Sequence, residues 1–306
     1  MANLDKQLLV FKSISDLMRT MELPKPVHPL VALINYNDVK IPLAHAGNSF
    51  SLDFYKISFK TNFKGQVKYG QGYYDFDEGG LAFLAPHQIV TMSGEQEGYE
   101  GYSFFFHPDL IKGYQLGKQI SQFGFFSYGV SEALCLSDKE KTIISTLFEA
   151  IESELNTNTD QYSQDVLVSQ LELLLNYSNR FYNRQFITRR TVYNDLITKM
   201  NTYLTNRLEN GDAQHTGIPT VHELSQYLGV TPRYLTDLLK SLTGLSAQQH
   251  IHEQLIEKAK IKLSHSKLTV AEIAYHLGFE HPQSFSKFFK QKTQMSPGQF
   301  RGLLIN

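Results

Sequence analysis

Apolar positions change their period twice along this chain. At Asn3–Glu22 they fall on Leu4, Leu8, Phe11, Ile14, Leu17, Met18 and Met21. That spacing predicts one amphipathic helix within residues 1–24, ended by Leu23-Pro24-Lys25-Pro26. From Leu30 to Ser127 short apolar or alternating runs (VALINY, FYKISF, GYYDF, LAFLA, QIVTM, GYSFFF) are separated by Gly, Asn and Asp. Many short strands with regular turn signals predict a barrel or sandwich over residues 25–136. The alternation through Phe50–Lys60 does not fix which face points inward.

After Ser137 the helical period returns. Asp138–Leu155 carries Ile143, Ile144, Leu147, Phe148, Ile151 and Leu155 on one side. Asp160–Tyr182 carries Leu167, Leu171, Leu174 and Phe181, flanked by Val166, Leu173 and Tyr177. Packing on the strand domain and a helix-pair dimer seam fit that stripe equally well. Phe186–Arg190 reads as a junction, Asn194–Glu209 as the next helix, and Glu209–Pro219 as a polar loop. The whole is an α+β chain: a β-barrel or sandwich, then dimerisation helices in 137–185, then an all-α domain in 193–306.

The all-α domain contains one signal twice, about 50 positions apart. Val221–Ile251 reads VHELSQYLGVTPRYLTDLLKSLTGLSAQQHI and Val270–Phe300 reads VAEIAYHLGFEHPQSFSKFFKQKTQMSPGQF. Leu228-Gly229 matches Leu277-Gly278, and Leu235, Leu238, Leu239 and Lys240 match Phe285, Phe288, Phe289 and Lys290. Each copy reads as a helix, a glycine turn and a second helix opened by Pro232 or Pro282, with Thr231 as N-cap in the first. In the first copy Leu235, Leu238, Leu239 and Leu242 face inward, leaving Arg233, Tyr234, Thr236, Asp237, Lys240 and Ser241 outside. In the second, Phe285, Phe288 and Phe289 face inward, leaving His281, Gln283, Ser284, Ser286, Lys287 and Lys290 outside. Such side chains at the start of a helix suit base edges and phosphates. A helix from Ala247 to Leu263, roughly 25 Å long, would hold the two units near one DNA turn apart. A helix bundle without DNA explains one copy readily, but not two copies with matching core, turn and cap.

Charge sharpens this picture. The 306 residues carry a net charge of −1. Residues 1–188 hold a net −6 and residues 189–306 a net +5. A basic C-terminal portion behind an acidic one fits DNA binding confined to one end. The single cysteine, Cys135, excludes an intrachain disulfide and suggests a reducing compartment. Met1–Thr20 lacks the apolar core of a signal peptide, and no apolar run reaches membrane-spanning length. A cytoplasmic protein with no membrane partner is expected.

The segments EKAKIKL (257–263), TVAEIAYHLGFEHPQSFSKFFK (269–290) and MSPGQFR (295–301) resemble the DNA-binding domain of the AraC/XylS family of bacterial transcription regulators. The resemblance implies two recognition helices gripping double-stranded promoter DNA, a homodimer, and contact with RNA polymerase. It places base-reading candidates at Arg233, Tyr234, Thr236 and Asp237, then at His281, Gln283, Ser284 and Lys287, with Lys240 and Lys290 adding positive charge. A basic side chain is frequent at the position of Asp237, which could accept from cytosine N4 or simply avoid phosphates. Asp53–Ile57 and Gly79–Pro86 resemble strands of the cupin-like sensor domain joined to many members, where a small-molecule effector sits inside the barrel. Phe50-Ser51-Leu52 stands where such domains often carry His-x-His, so neither a metal nor a cofactor is expected.

Other groups read as structural. His250 and His252 lie two positions apart on a predicted helix, where side chains diverge and cannot chelate one ion. His222-Glu223 lacks the second histidine of a zinc-protease motif. His45, His87 and His107 are scattered, and Asp75-Asp77-Glu78 reads as a loop cap. No nucleophile and base stand together, so catalysis is not expected. Two alternatives to an effector-modulated regulator are an effector-independent regulator governed by a protein partner and a cupin-class enzyme with a DNA-binding appendage.

Overall fold

Leu8–Phe11 is a strand, not the start of a helix. This strand, β1, runs parallel to β3 (Ser49–Leu52), with Leu8 opposite Ser49 and Phe11 opposite Leu52. Backbone pairing to a distant strand has overridden the local helical spacing there, and among the described residues α1 (Ile14–Thr20) is what remains of the expected helix. Ser13 sets its start by accepting a hydrogen bond from the Asp16 amide at 3.1 Å.

The computed structural model describes residues 8–39, 49–62, 66–69, 72–75, 79–91, 100–129, 132–188, 190–209 and 212–304. His45, Asp77 and Glu78 lie outside them. The chain divides into two compact units, Met1–Gln185 and Phe186–Asn306.

In the first unit, β2 (Val31–Asn35), β4 (Tyr55–Asn62), β7 (Gly80–Leu84), β9 (Glu100–Phe106) and β10 (Leu134–Cys135) form a five-stranded antiparallel sheet. Its order is β10-β7-β4-β9-β2. A second sheet joins β1, β3 and β8 (Val90–Thr91). β5 (Gln66–Tyr69) and β6 (Gly72–Asp75) pair with each other. The sandwich expectation holds: Phe50 and Leu52 of the smaller sheet share a core with Ala32, Ile34, Leu84 and Phe105 of the larger, and α1 adds Ile14, Leu17 and Met18.

The larger sheet resolves the ambiguity of Phe50–Lys60. Tyr55, Ile57 and Phe59 turn to the opposite face, where Phe59 stacks on Phe148 with centroids 5.4 Å apart. Lys56, Ser58 and Lys60 therefore turn toward the side of the inter-sheet core. After the short helices α2 (Pro108–Ile111) and α3 (Gln115–Gln119), that opposite face is covered by α4 (Asp138–Leu155) and α5 (Ser163–Thr188). Phe83 and Phe125 both meet Tyr182 of α5. Leu167, Leu171 and Leu174 are buried within the chain itself, so the α5 stripe packs internally. Tyr162, Val166 and Leu173 remain exposed.

The second unit is helical. α6 (Arg190–Glu209) follows α5 after a single intervening position, so the predicted junction at 186–190 is mostly helix. α7 (Asp212–Thr216) occupies the expected polar loop because Ala213 is fully buried there. Then come α8 (Val221–Leu228), α9 (Pro232–Thr243), α10 (Ala247–His265), α11 (Val270–His276), α12 (Pro282–Thr293) and α13 (Pro297–Leu304). One core unites Leu204, Leu224, Leu235, Leu239, Leu255, Ala259, Ile273, Phe285 and Phe289.

Candidate nucleic-acid interface

Each half of the repeat folds from local signals before it packs. Thr220 accepts from the Glu223 amide while the Glu223 carboxylate accepts from the Thr220 amide, a reciprocal cap that starts α8. Thr269 and Glu272 do the same for α11. Ser246 with Gln249 starts α10, and Ser296 with Gln299 makes the same pair of bonds before α13. The repeat thus extends to its caps, a Thr-x-x-Glu and a Ser-x-x-Gln in each copy. This spacing is visible in the sequence itself.

The two turns use glycine for different reasons. Gly229 has φ 70° with open space where a Cβ would stand. Gly278 has φ 87°, and a Cβ there would stand 2.6 Å from the Gly217 carbonyl carbon and 2.7 Å from the Ile218 amide nitrogen. The first glycine serves backbone conformation alone; the second also lets the α11–α12 turn lie against the segment after α7.

Pro232 and Pro282 open α9 and α12 as expected. Thr231 caps α9 by accepting from the Tyr234 amide at 3.3 Å. His281 stands at the corresponding place before α12 without a side-chain cap bond. Arg233 and Lys240 on α9, and His281, Gln283, Ser284, Lys287 and Lys290 at α12, are exposed. Thr236 and Asp237 are half-buried. The Asp237 carboxylate accepts from Arg233 Nε at 2.9 Å, one helical turn away.

Tyr234 departs from the expected outward face. It is 4% exposed, its hydroxyl lies 3.0 Å from that of Tyr193 on α6, and its ring meets Phe186 edge-on. The large aromatic body wins over the outward helical position because two further rings wait there. Phe288, expected inside, is only partly buried and contacts Phe279 and His252.

The linking helix α10 reaches both helix-turn-helix copies through its two histidines. His250 Nε2 lies 2.8 Å from the Thr243 hydroxyl at the end of α9. The His252 ring stands edge-on to Phe288 of α12, centroids 5.1 Å apart. Burial lowers both imidazoles from their ordinary value, helped at His252 by the Lys292 charge and opposed at His250 by Glu253. Among the described residues no three His, Cys, Asp or Glu side chains gather in a metal-holding group. No described helix is long and apolar enough to cross a membrane.

Residues 224–302 match a family model described as a helix-turn-helix domain, and residues 51–172 match an AraC-like ligand binding domain. The HTH-type transcriptional activator RhaS of Escherichia coli O157:H7 is 30% identical over 139 residues, 45% of this chain and 45% of RhaS. An HTH-type transcriptional regulator of Staphylococcus aureus strain MSSA476 is 32% identical over 83 residues, 27% of this chain and 11% of that protein. The matches therefore span from about a tenth to under half of these relatives. Among solved structures, the C-terminal domain of the response regulator yesN from Fusobacterium nucleatum aligns at 31% identity with a TM-score of 0.29, over 33% of this chain and 96% of that one. The DNA-binding domain of AdpA in complex with a target DNA aligns at 23% identity with a TM-score of 0.30, over 34% and 91%. In order along one sequence the chain therefore carries an AraC-like ligand binding domain and a helix-turn-helix domain, the two parts that an AraC/XylS-type regulator combines.

Proposed function

We propose that this protein is a sequence-specific transcription regulator whose helices α9 and α12 enter adjacent major-groove segments of double-stranded promoter DNA. The observation that carries this reading is the pair of proline-opened helices built on one continuous α10, each exposing polar and basic side chains near its start. Gln283 and Ser284 are the base readers of α12, and Lys287 and Lys290 its phosphate contacts. Arg233, Thr236 and Asp237 serve α9, with Lys240 on phosphate. Tyr234 supports the helix from behind and is not a base contact.

The protein acts by binding rather than catalysis, in the cytoplasm, and communicates with RNA polymerase. A small-molecule effector in the strand domain modulates it, which the match of residues 51–172 to an AraC-like ligand binding domain supports. It works as a homodimer, for which the exposed Tyr162, Val166 and Leu173 of α5 and its approach supply apolar surface.

Selection of genomic DNA with full-length protein tests the reading, with a Gln283→Ala/Lys287→Ala double variant in parallel. Enrichment of a motif of two paired blocks, lost in the variant, is expected. Recovery of sequence-independent DNA by both proteins would overturn it.

A further inference from the structure

Three successive rungs of the five-stranded sheet leave an unusual floor on the side of the inter-sheet core. Lys60 of β4 sits between Gly80 of β7 and Gly101 of β9. Ser58 sits between Ala82 and Ser103, and Lys56 between Leu84 and Phe105. Neighbours across a buried sheet face ordinarily fill the space with bulky apolar pairs. On the three central strands two adjacent rungs here hold nothing larger than serine beside the lysine itself, with Cys135 and Ile34 flanking them on β10 and β2. The third rung closes the floor, with Leu84 and Phe105 in the core and Lys56 Nζ 5.6 Å from the Phe105 ring centroid. Ser58 and Ser103 are buried, and the Ser103 hydroxyl donates to Tyr36 Oη at 2.7 Å.

The backbone is also irregular at this point. Lys60 stands opposite Gly101 but Asn62 stands opposite Glu100, so Thr61 is an extra residue in β4. Gly101 has φ 117°, and a Cβ there would collide with the Phe59 carbonyl oxygen. Bulges of this kind bend a strand and re-aim its side chains, often beside a functional site. Burial, and then the charge of Lys56, bring the Lys60 ammonium down to about 7. The two lysines are thus close enough to feel each other in a partly dehydrated setting. An anion placed there is stabilised by both and relieves their repulsion.

We propose that Lys56, Ser58, Lys60 and Ser103 form the anion-holding end of the effector site, so that the effector is a small molecule bearing a carboxylate or a phosphate. This deepens the effector-modulated reading given above and rests on it. The lysines supply charge, the Ser58 hydroxyl donates to the oxyanion, the Ser103 hydroxyl does so once the Tyr36 hydroxyl becomes the donor in their shared bond, and the glycine and alanine positions make room for the rest of the molecule.

The test is isothermal titration calorimetry of the full chain, without DNA, in two buffers of different ionisation enthalpy at about pH 8. The probes are inorganic phosphate, butyrate and octanoate, with butanol and octanol as neutral matches. At least one anion binds, and proton uptake accompanies it because Lys60 regains its proton. Phosphate against the carboxylates tells which oxyanion is held. Lys60→Met abolishes the uptake and weakens binding about tenfold or more, and Lys56→Met weakens it similarly. The unfolding transition of each variant is recorded to confirm that it folds. Three results would overturn the proposal: alcohols binding as tightly as the anions, anion binding unchanged in both lysine variants, or no anion binding at millimolar concentration. Anion binding unchanged in the variants would place the anions elsewhere, the basic recognition helices included. Because no DNA is present, failure here leaves the outcome of the genomic selection unaffected, and failure there leaves this one unaffected.

Discussion

The phenol oxygens of Tyr193 and Tyr234 lie 3.0 Å apart inside the DNA-binding unit, tying the first turn of α9 to the start of α6. Both residues are buried and Phe186 meets each ring edge-on. Tyr234→Phe and Tyr193→Phe each remove this bond, whose loss should cost about 1 kcal/mol. The double variant should cost clearly less than the sum, because the same bond is lost once. Urea unfolding of the four proteins checks this; strict additivity would show that the two hydroxyls are not coupled.

Gly229 and Gly278 are equivalent in sequence and unequal in structure. Gly229→Ala forces a positive φ on alanine in open space, at a cost of about 1 kcal/mol. Gly278→Ala adds a collision with the backbone at Gly217 and Ile218 and should cost at least about 2 kcal/mol more. Thermal unfolding of both variants measures the difference, and equal losses would refute the close approach.

On α9 the pairing of Asp237 with Arg233 predicts an unusual response. Removing an acid beside DNA usually strengthens binding, but this acid also holds the guanidinium in one place. Asp237→Ala should therefore raise affinity for random DNA, steepen its salt dependence, and reduce discrimination between sites. Arg233→Ala should weaken both kinds of binding. Titrations with selected and scrambled duplexes over a salt series separate these outcomes.

His250 and His252 make the DNA-binding unit sensitive to acid. Burial lowers both folded-state values below 6.5, while the unfolded chain titrates near that figure. Between the two the unfolded state binds more protons, so stability falls as pH drops from 6.5 through the lowered values and is unaffected above. Unfolding midpoints across this range should decline in the wild type. A His250→Asn/His252→Phe variant should flatten the decline, and an unchanged slope would assign it to other groups.

The paired helix-turn-helix was legible because its signals are local: a glycine turn, a proline opening and a three-to-four residue apolar period recur in register. What escaped was decided by partners distant in sequence. Leu8–Phe11 shows helical spacing yet becomes a strand because Ser49–Leu52 lies beside it. Tyr234 occupies an outward position on its helix yet is drawn inward by Tyr193 and Phe186, both about forty residues earlier or more. Ala213 hides in a stretch composed like a loop because Gly278 brings a turn up against its neighbours. The floor around Lys60 could not be seen at all without the register that sets one glycine on each side of it.

The 19 residues of α10 run as one unbroken helix between the two readers, a strut of about 28 Å. A strut fixes phase as well as distance. For a regulator of the proposed kind, one base pair inserted between the two blocks of a target would rotate the second block by about 35° around the duplex, out of reach of its reader. Promoters served by this protein should therefore tolerate base changes within a block, with graded loss, far better than any change in the length between blocks. Spacing, rather than any single base, would be the least negotiable part of the recognition sequence.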